Sequence, residues 1–93
     1  MPRFHLHADV SSDEPDRVRP VVTRVFPAGV TETAKGFHVE ADVEGESARD
    51  LNRELLSALR REERRTRLRA EWTSEGTTER FFDYVAKGIR PAG

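Results

Sequence analysis

Three histidines and one run of arginines are the residues of this chain best suited to chemistry. His5-x-His7-x-Asp9 places two imidazoles and a carboxylate at alternate positions. In an extended strand all three project from one side. Imidazole and carboxylate are ligands for zinc and related transition ions, and His38, in another alternating segment, is a third candidate imidazole. The motif is short and specifies no fourth ligand. Alternating polar residues are also what a solvated strand face carries, and His5 or His7 opposite Asp42 or Glu40 makes an ordinary cross-strand pair. The expectation is no metal and no cofactor, with His5, His7 and His38 as the residues a metal would use.

The second group is Arg60-Arg61-Glu62-Glu63-Arg64-Arg65-Thr66-Arg67-Leu68-Arg69, which holds six arginines against two glutamates. It is the one strong local positive patch in a chain whose net charge is -1. Phe82 and Tyr84 follow it. An open sheet that presents arginine and aromatic side chains can hold phosphates and stack bases. Arg67 and Arg69, with Arg60, Arg61, Arg64 and Arg65 assisting, are the candidates for phosphate, and Phe82 and Tyr84 for bases. Two facts oppose this. Arginines at a helix C-terminus also complement the helix dipole, where Glu62 and Glu63 read as solvated partners. Glu40, Asp42 and Glu71 would repel a phosphate backbone.

Catalytic signals are missing from the pattern. Ser11, Ser12, Ser47, Ser57 and Ser74 lie outside any nucleophile motif. Gly36, Gly45 and Gly76 are isolated turn glycines and make no phosphate loop. There is no cysteine, which excludes disulfides, thiolate catalysis and cysteine zinc sites. A carboxylate pair such as Glu62-Glu63 acts as acid and base only in a cleft that separates its pKa values. The expectation is a non-catalytic binding domain, not an enzyme.

The elements that must position these residues follow from periodicity. Phe4, Leu6, Ala8 and Val10 alternate with His5, His7 and Asp9, a half-buried strand. Ser11 to Pro15 reads as a helix start, with Ser11 and Glu14 as a capping box. Val18, Val21, Val22, Val25 and Phe26 follow at helical spacing. Pro20 interrupts that pattern and predicts a kink, or a start near Asp16. Val30 to Ala34 predicts a short strand and Lys35-Gly36 a tight turn. Phe37, Val39, Ala41 and Val43 predict a second long strand. Glu46 to about Arg64 is the clearest helix, with Ser47 or Glu46 near its cap and Ala48, Leu51, Leu55, Ala58 and Leu59 as its buried stripe. Arg67 to Trp72 alternates again. Ser74-Glu75-Gly76-Thr77 predicts a hairpin turn with glycine at positive φ. Arg80 to Ala86 fits a strand by its aromatic content. A short helix between Thr78 and Gly88 is the other reading.

The resulting order, β-α-β-β-α-β-β, predicts an α+β fold. Its antiparallel sheet of four or five strands carries two helices on one face. In the split-βαβ arrangement the first strand lies centrally, beside the third and fourth. The open face then gathers His5, His7, Asp9, His38, Glu40, Asp42, Arg67, Arg69 and Glu71. Either Phe82 and Tyr84 or Phe81 and Val85 join them, depending on register. The expected core is Phe4, Leu6, Val10, Val18, Val22, Val25, Phe37, Val39, Leu51, Leu55, Leu59, Leu68 and Trp72.

Ninety-three residues, 35% hydrophobic and 35% charged, are enough for one domain with one core. Residues 1–88 are expected to form it and 89–93 a tail. The start Met1-Pro2-Arg3-Phe4-His5 has no apolar signal stretch, and no apolar run approaches a membrane span. A soluble, cytoplasmic protein with no membrane partner is expected. Of 16 basic residues only Lys35 and Lys87 are lysine, a bias that GC-rich coding produces without any binding role.

The order of features also resembles a family. Asp16-Arg17-Val18 running to Val25-Phe26-Pro27, the helix ending Leu59-Arg60-Arg61-Glu62, and Gly76-Thr77-Thr78 leading to Phe81-Phe82 are similar to an archaeal RNA-binding-domain family of unknown function. Its fold is like that of the ribosomal protein that binds five-S RNA. The likeness covers most of the chain as spaced fragments. Where the family has an asparagine-lysine-glutamine stretch, this chain reads Asp83-Tyr84-Val85-Ala86, so no functional residue carries over. The resemblance implies RNA or another single-stranded nucleic acid as partner. The alternative is a protein-interaction module, including a homodimer through the same sheet.

Overall fold

The computed structural model describes residues 1–83. Tyr84, the expected strand residues Val85 and Ala86, and the tail at 89–93 lie outside the described residues. The elements are β1(Arg3–Ser11), α1(Pro15–Val25), β2(Val30–Thr33), β3(Gly36–Glu44), α2(Ala48–Glu62), β4(Arg67–Ser74) and β5(Thr77–Asp83). They form one five-stranded sheet in the order β2-β3-β1-β4-β5. Every neighbouring pair is antiparallel. This is the α+β architecture the periodicity predicts, with β1 between β3 and β4.

Alternation sorts the strand residues between two faces. On β1, Phe4, Leu6, Ala8 and Val10 are buried while His5, His7 and Asp9 are exposed. The inward residues join Phe37 and Val39 of β3, Leu68, Ala70 and Trp72 of β4, and Val18, Val22, Leu55 and Leu59 of the helices in one core. Full burial of a Leu or Phe side chain contributes about 1.5–3 kcal/mol, so this shared interior is what holds both helices to one face. The Trp72 indole N–H is buried too and donates to Asn52 Oδ1 at 3.1 Å. Phe4 meets the Trp72 ring edge-on, 6.5 Å between centroids.

The helix ends differ from the expectation in three places. Ser11 is not a cap: it ends β1, paired with Gly36 and Arg67. Ser12 takes the turn instead, its Oγ accepting from the Glu14 backbone N–H at 3.0 Å. Glu14 is the N-cap residue of α1 and makes no side-chain cap bond, and Pro15 opens the helix where its missing N–H costs nothing. Pro20 sits inside α1, on its exposed side. Val25, expected in the core, is 44% exposed, and Phe26 is buried in its place. The helix stops at Val25, and the non-helical backbone at Phe26, φ -123° and ψ 87°, leaves the larger side chain inward. The third difference is Glu63, which is buried rather than solvated.

α2 begins as expected. Ser47 Oγ accepts from the Asp50 backbone N–H at 3.1 Å. The β4–β5 hairpin turns on Glu75 and Gly76, with φ of 52° and 82°. Two successive positive values define the type I′ turn, whose twist matches the flanking strands. No helix among the described residues is long and apolar enough to cross a membrane.

Candidate functional site

The open face of the sheet has two chemically distinct regions. Register creates both. His5 lies opposite Asp42, His7 opposite Glu40 and Asp9 opposite His38 on the β3 side. On the β4 side His7 faces Glu71 and Asp9 faces Arg69. The middle of the face therefore alternates imidazole with carboxylate.

All three sequence-selected histidines meet here. His5 Nδ1 lies 2.9 Å from Asp42 Oδ1, and His38 Nδ1 lies 2.9 Å from Asp9 Oδ1. The Nε2 atoms of His5 and His7 each stand 3.4 Å from Glu40 Oε2. Ring centroids are 5.0 Å apart for His5–His7 and 6.1 Å for His7–His38. The Asp42 hydrogen bond raises the His5 pKa above its usual 6.5; slight burial opposes this, and Glu40 adds to it. Gly29 supports Glu40 from behind. Its carbonyl accepts from the Glu40 N–H at 2.9 Å. It has φ of +83°, and a Cβ there would lie 2.1 Å from the Glu40 carbonyl oxygen.

The second region is the end of the sheet where β1 stops and β4 starts. Ser11, Ser12, Lys35, Arg65 and Arg67 line one depression with Asp13 there. Asp13 Oδ2 lies 3.5 Å from Arg65 Nε. Further along β4, the Arg69 guanidinium sits 4.9 Å over the Phe82 ring. Phe82 faces Arg69 across the β4–β5 ladder and is 44% exposed. Phe81, opposite Ala70, packs against the core instead. The register thus puts Phe82, not Phe81, on the open face.

Comparison of the chain with family models, curated proteins and solved structures finds no match.

The six arginines do not act as one surface. Arg67 and Arg69 project from β4 on the open face, and Arg65 joins Arg67 at the depression. Arg60 is partly buried, and its Nε donates to the Thr66 carbonyl at 2.9 Å, tying the end of α2 to the start of β4. Arg61 and Arg64 are exposed at the α2 terminus and the turn that follows. Lys35 is a member that sequence reasoning missed. Its signal was present: a turn before Gly36, which the β1–β3 register sets beside Ser11 and hence near Arg67.

Glu63, the buried carboxylate, builds this end of the sheet. Its Oε1 accepts from Ser12 Oγ at 2.8 Å and its Oε2 from the Arg65 backbone N–H at 3.0 Å. These hydrogen bonds, the Arg65 N–H foremost, lower its pKa against the opposing effect of burial. One carboxylate thus joins the β1–α1 turn to the α2–β4 turn.

Proposed function

We propose that the chain is a non-catalytic module that binds RNA or another single-stranded nucleic acid across the basic end of its open sheet. Lys35, Arg65 and Arg67 neutralise phosphates, and Arg69 with Phe82 receives a base. The observation that carries this reading is the Arg69–Phe82 stack, an exposed ring under a guanidinium, on the same sheet face as Arg67, which lines the depression that holds Lys35 and Arg65; the stack itself lines a neighbouring depression with His7, Asp9, His38 and Glu71. Aromatic faces with adjacent cations are how sequence-tolerant single-strand binders hold bases and backbone together.

Electrostatics limits the tract. Glu40, Asp42, Glu44 and Glu71 lie on the same face, and their charge repels a backbone laid along the middle of β1. The strand therefore crosses the end of the sheet rather than its length.

Amide chemical-shift mapping with a short oligouridylate tests this. The largest changes are expected at Lys35, Arg65, Arg67, Arg69 and Phe82. Changes centred on the histidines, or none at all, contradict it. The alternative of a homodimer draws on the same Phe82, because β5 is an edge strand. A concentration-dependent mass in light scattering, with no shifts on adding RNA, would favour that alternative.

A further inference from the structure

We propose that His5, His7 and Glu40 form a binding site for a divalent transition-metal ion, with water completing the coordination. Its three residues are not among those proposed to hold nucleic acid, though His7 lines a depression with Arg69 and Phe82. One ligand atom from each of the three residues lies within 4.8 Å of the others. The finer distances favour a shared ion. Both Nε2 atoms stand 3.4 Å from the same carboxylate oxygen, Glu40 Oε2. That is long for a charge-assisted hydrogen bond. It equals the edge of a tetrahedron whose metal–ligand bonds are about 2.0–2.1 Å, which is about 3.3–3.4 Å.

A second observation sets the histidine up as a ligand. Asp42 Oδ1 lies 2.9 Å from His5 Nδ1. When that nitrogen carries the proton, it donates to Asp42, and the lone pair is left on Nε2, toward Glu40. A carboxylate behind a histidine in this way orients the ring and strengthens it as a donor. Two positions on one strand and two on its neighbour supply the whole arrangement, so the sheet register holds it without any loop. The ligand set of two imidazoles and one carboxylate selects zinc, nickel or copper over magnesium or calcium, which take oxygen ligands. His38 stays outside the triangle: among the described residues, the ligand atoms that lie within 4.8 Å of one another are those of His5, His7 and Glu40.

Calorimetric titration of the full chain with zinc chloride, in a non-coordinating buffer near neutral pH, decides it. Saturable binding of one ion per chain is expected. All the substituted positions face solvent, so the fold is retained. His7→Ala and Glu40→Gln abolish saturable binding, Asp42→Asn weakens it by about 10-fold or more, and His38→Ala leaves it unchanged. Histidine ring signals of His5 and His7 shift with zinc while those of His38 do not. No saturable binding by the unsubstituted chain, or equal loss in His38→Ala and His7→Ala, overturns the assignment.

Discussion

Ser12 Oγ donates to Glu63 Oε1 at 2.8 Å, joining residues 51 positions apart. Both side chains are buried, and the bond holds the β1–α1 turn to the α2–β4 turn that carries Arg65; Lys35, in the β2–β3 turn, is tied to the same place by its carbonyl, which accepts from the Ser12 backbone N–H at 3.0 Å. Glu63 lies in the middle of a run of arginines, yet its charge is committed to the fold.

Stability should therefore depend on Glu63 and on pH in a defined sense. Its folded pKa is lowered, so its contribution is present above the usual carboxylate value and is lost as pH falls through the folded pKa. Hydrogen bonds to a charged group contribute about 1.5–3 kcal/mol. Glu63→Gln is expected to lower the unfolding free energy by an amount of that order at pH 7. Urea denaturation should show the two proteins converging in acid. An equal deficit at every pH would show that the charge of Glu63 contributes nothing.

His5 gives the opposite sign. Its folded pKa is raised, chiefly by Asp42. The pair favours the folded state below pH 6.5, and the effect fades as pH rises through the folded pKa of His5. The side chain is 45% exposed, so solvent screens the interaction and the effect on stability is small. The midpoint itself is the better readout. An NMR titration should place it above 6.5, and Asp42→Asn should lower it. A midpoint that Asp42→Asn leaves in place would contradict the pairing.

Two glycines with nearly equal φ separate backbone strain from steric contact. Gly29 and Gly76 have φ of +83° and +82°. An alanine in that region costs about 1–2 kcal/mol. A Cβ at Gly76 meets nothing within 4 Å, whereas at Gly29 it lies 2.1 Å from the Glu40 carbonyl oxygen. Gly76→Ala is expected to cost the strain alone. Gly29→Ala should cost more and should also displace Glu40. Equal thermal midpoints for the two variants would rule out the close packing of Gly29 on β3.

Most of the fold was legible because strands with one wet and one dry face announce themselves at period two. The β1 pattern from Phe4 to Val10, the α2 stripe and the Glu75-Gly76 turn needed no tertiary information. Long-range partners were not legible in that way. Glu63 looks like one charge among many until Ser12, far off in sequence, is seen against it. Asn52 occupies a stripe position between Ala48 and Leu55, but only the fold shows that it accepts from Trp72. Ser11 failed as a cap because cross-strand pairing extends β1 by one residue beyond what local chemistry suggests. Of the candidate site, the three histidines and Arg67 and Arg69 followed from alternation alone. Lys35 needed the register of β1 on β3, and the choice of Phe82 over Phe81 needed that of β5 on β4.

Phe82 separates stacking from charge. Phe82→Ala keeps every cation, so it should weaken binding to a single strand without changing the salt dependence. Losing a stacked base costs about 1–3 kcal/mol. Fluorescence anisotropy with a labelled oligouridylate reads both quantities. An affinity equal to that of the unsubstituted chain would remove the ring from the interface.

The most direct measurement is the same anisotropy titration at about 50 mM and 200 mM salt. If Lys35, Arg65 and Arg67 each meet a phosphate, affinity should fall by about 20-fold over that range, and Arg67→Glu with Arg69→Glu should abolish it. No binding at the lower salt, or binding indifferent to both salt and those substitutions, would contradict a nucleic-acid role for this face.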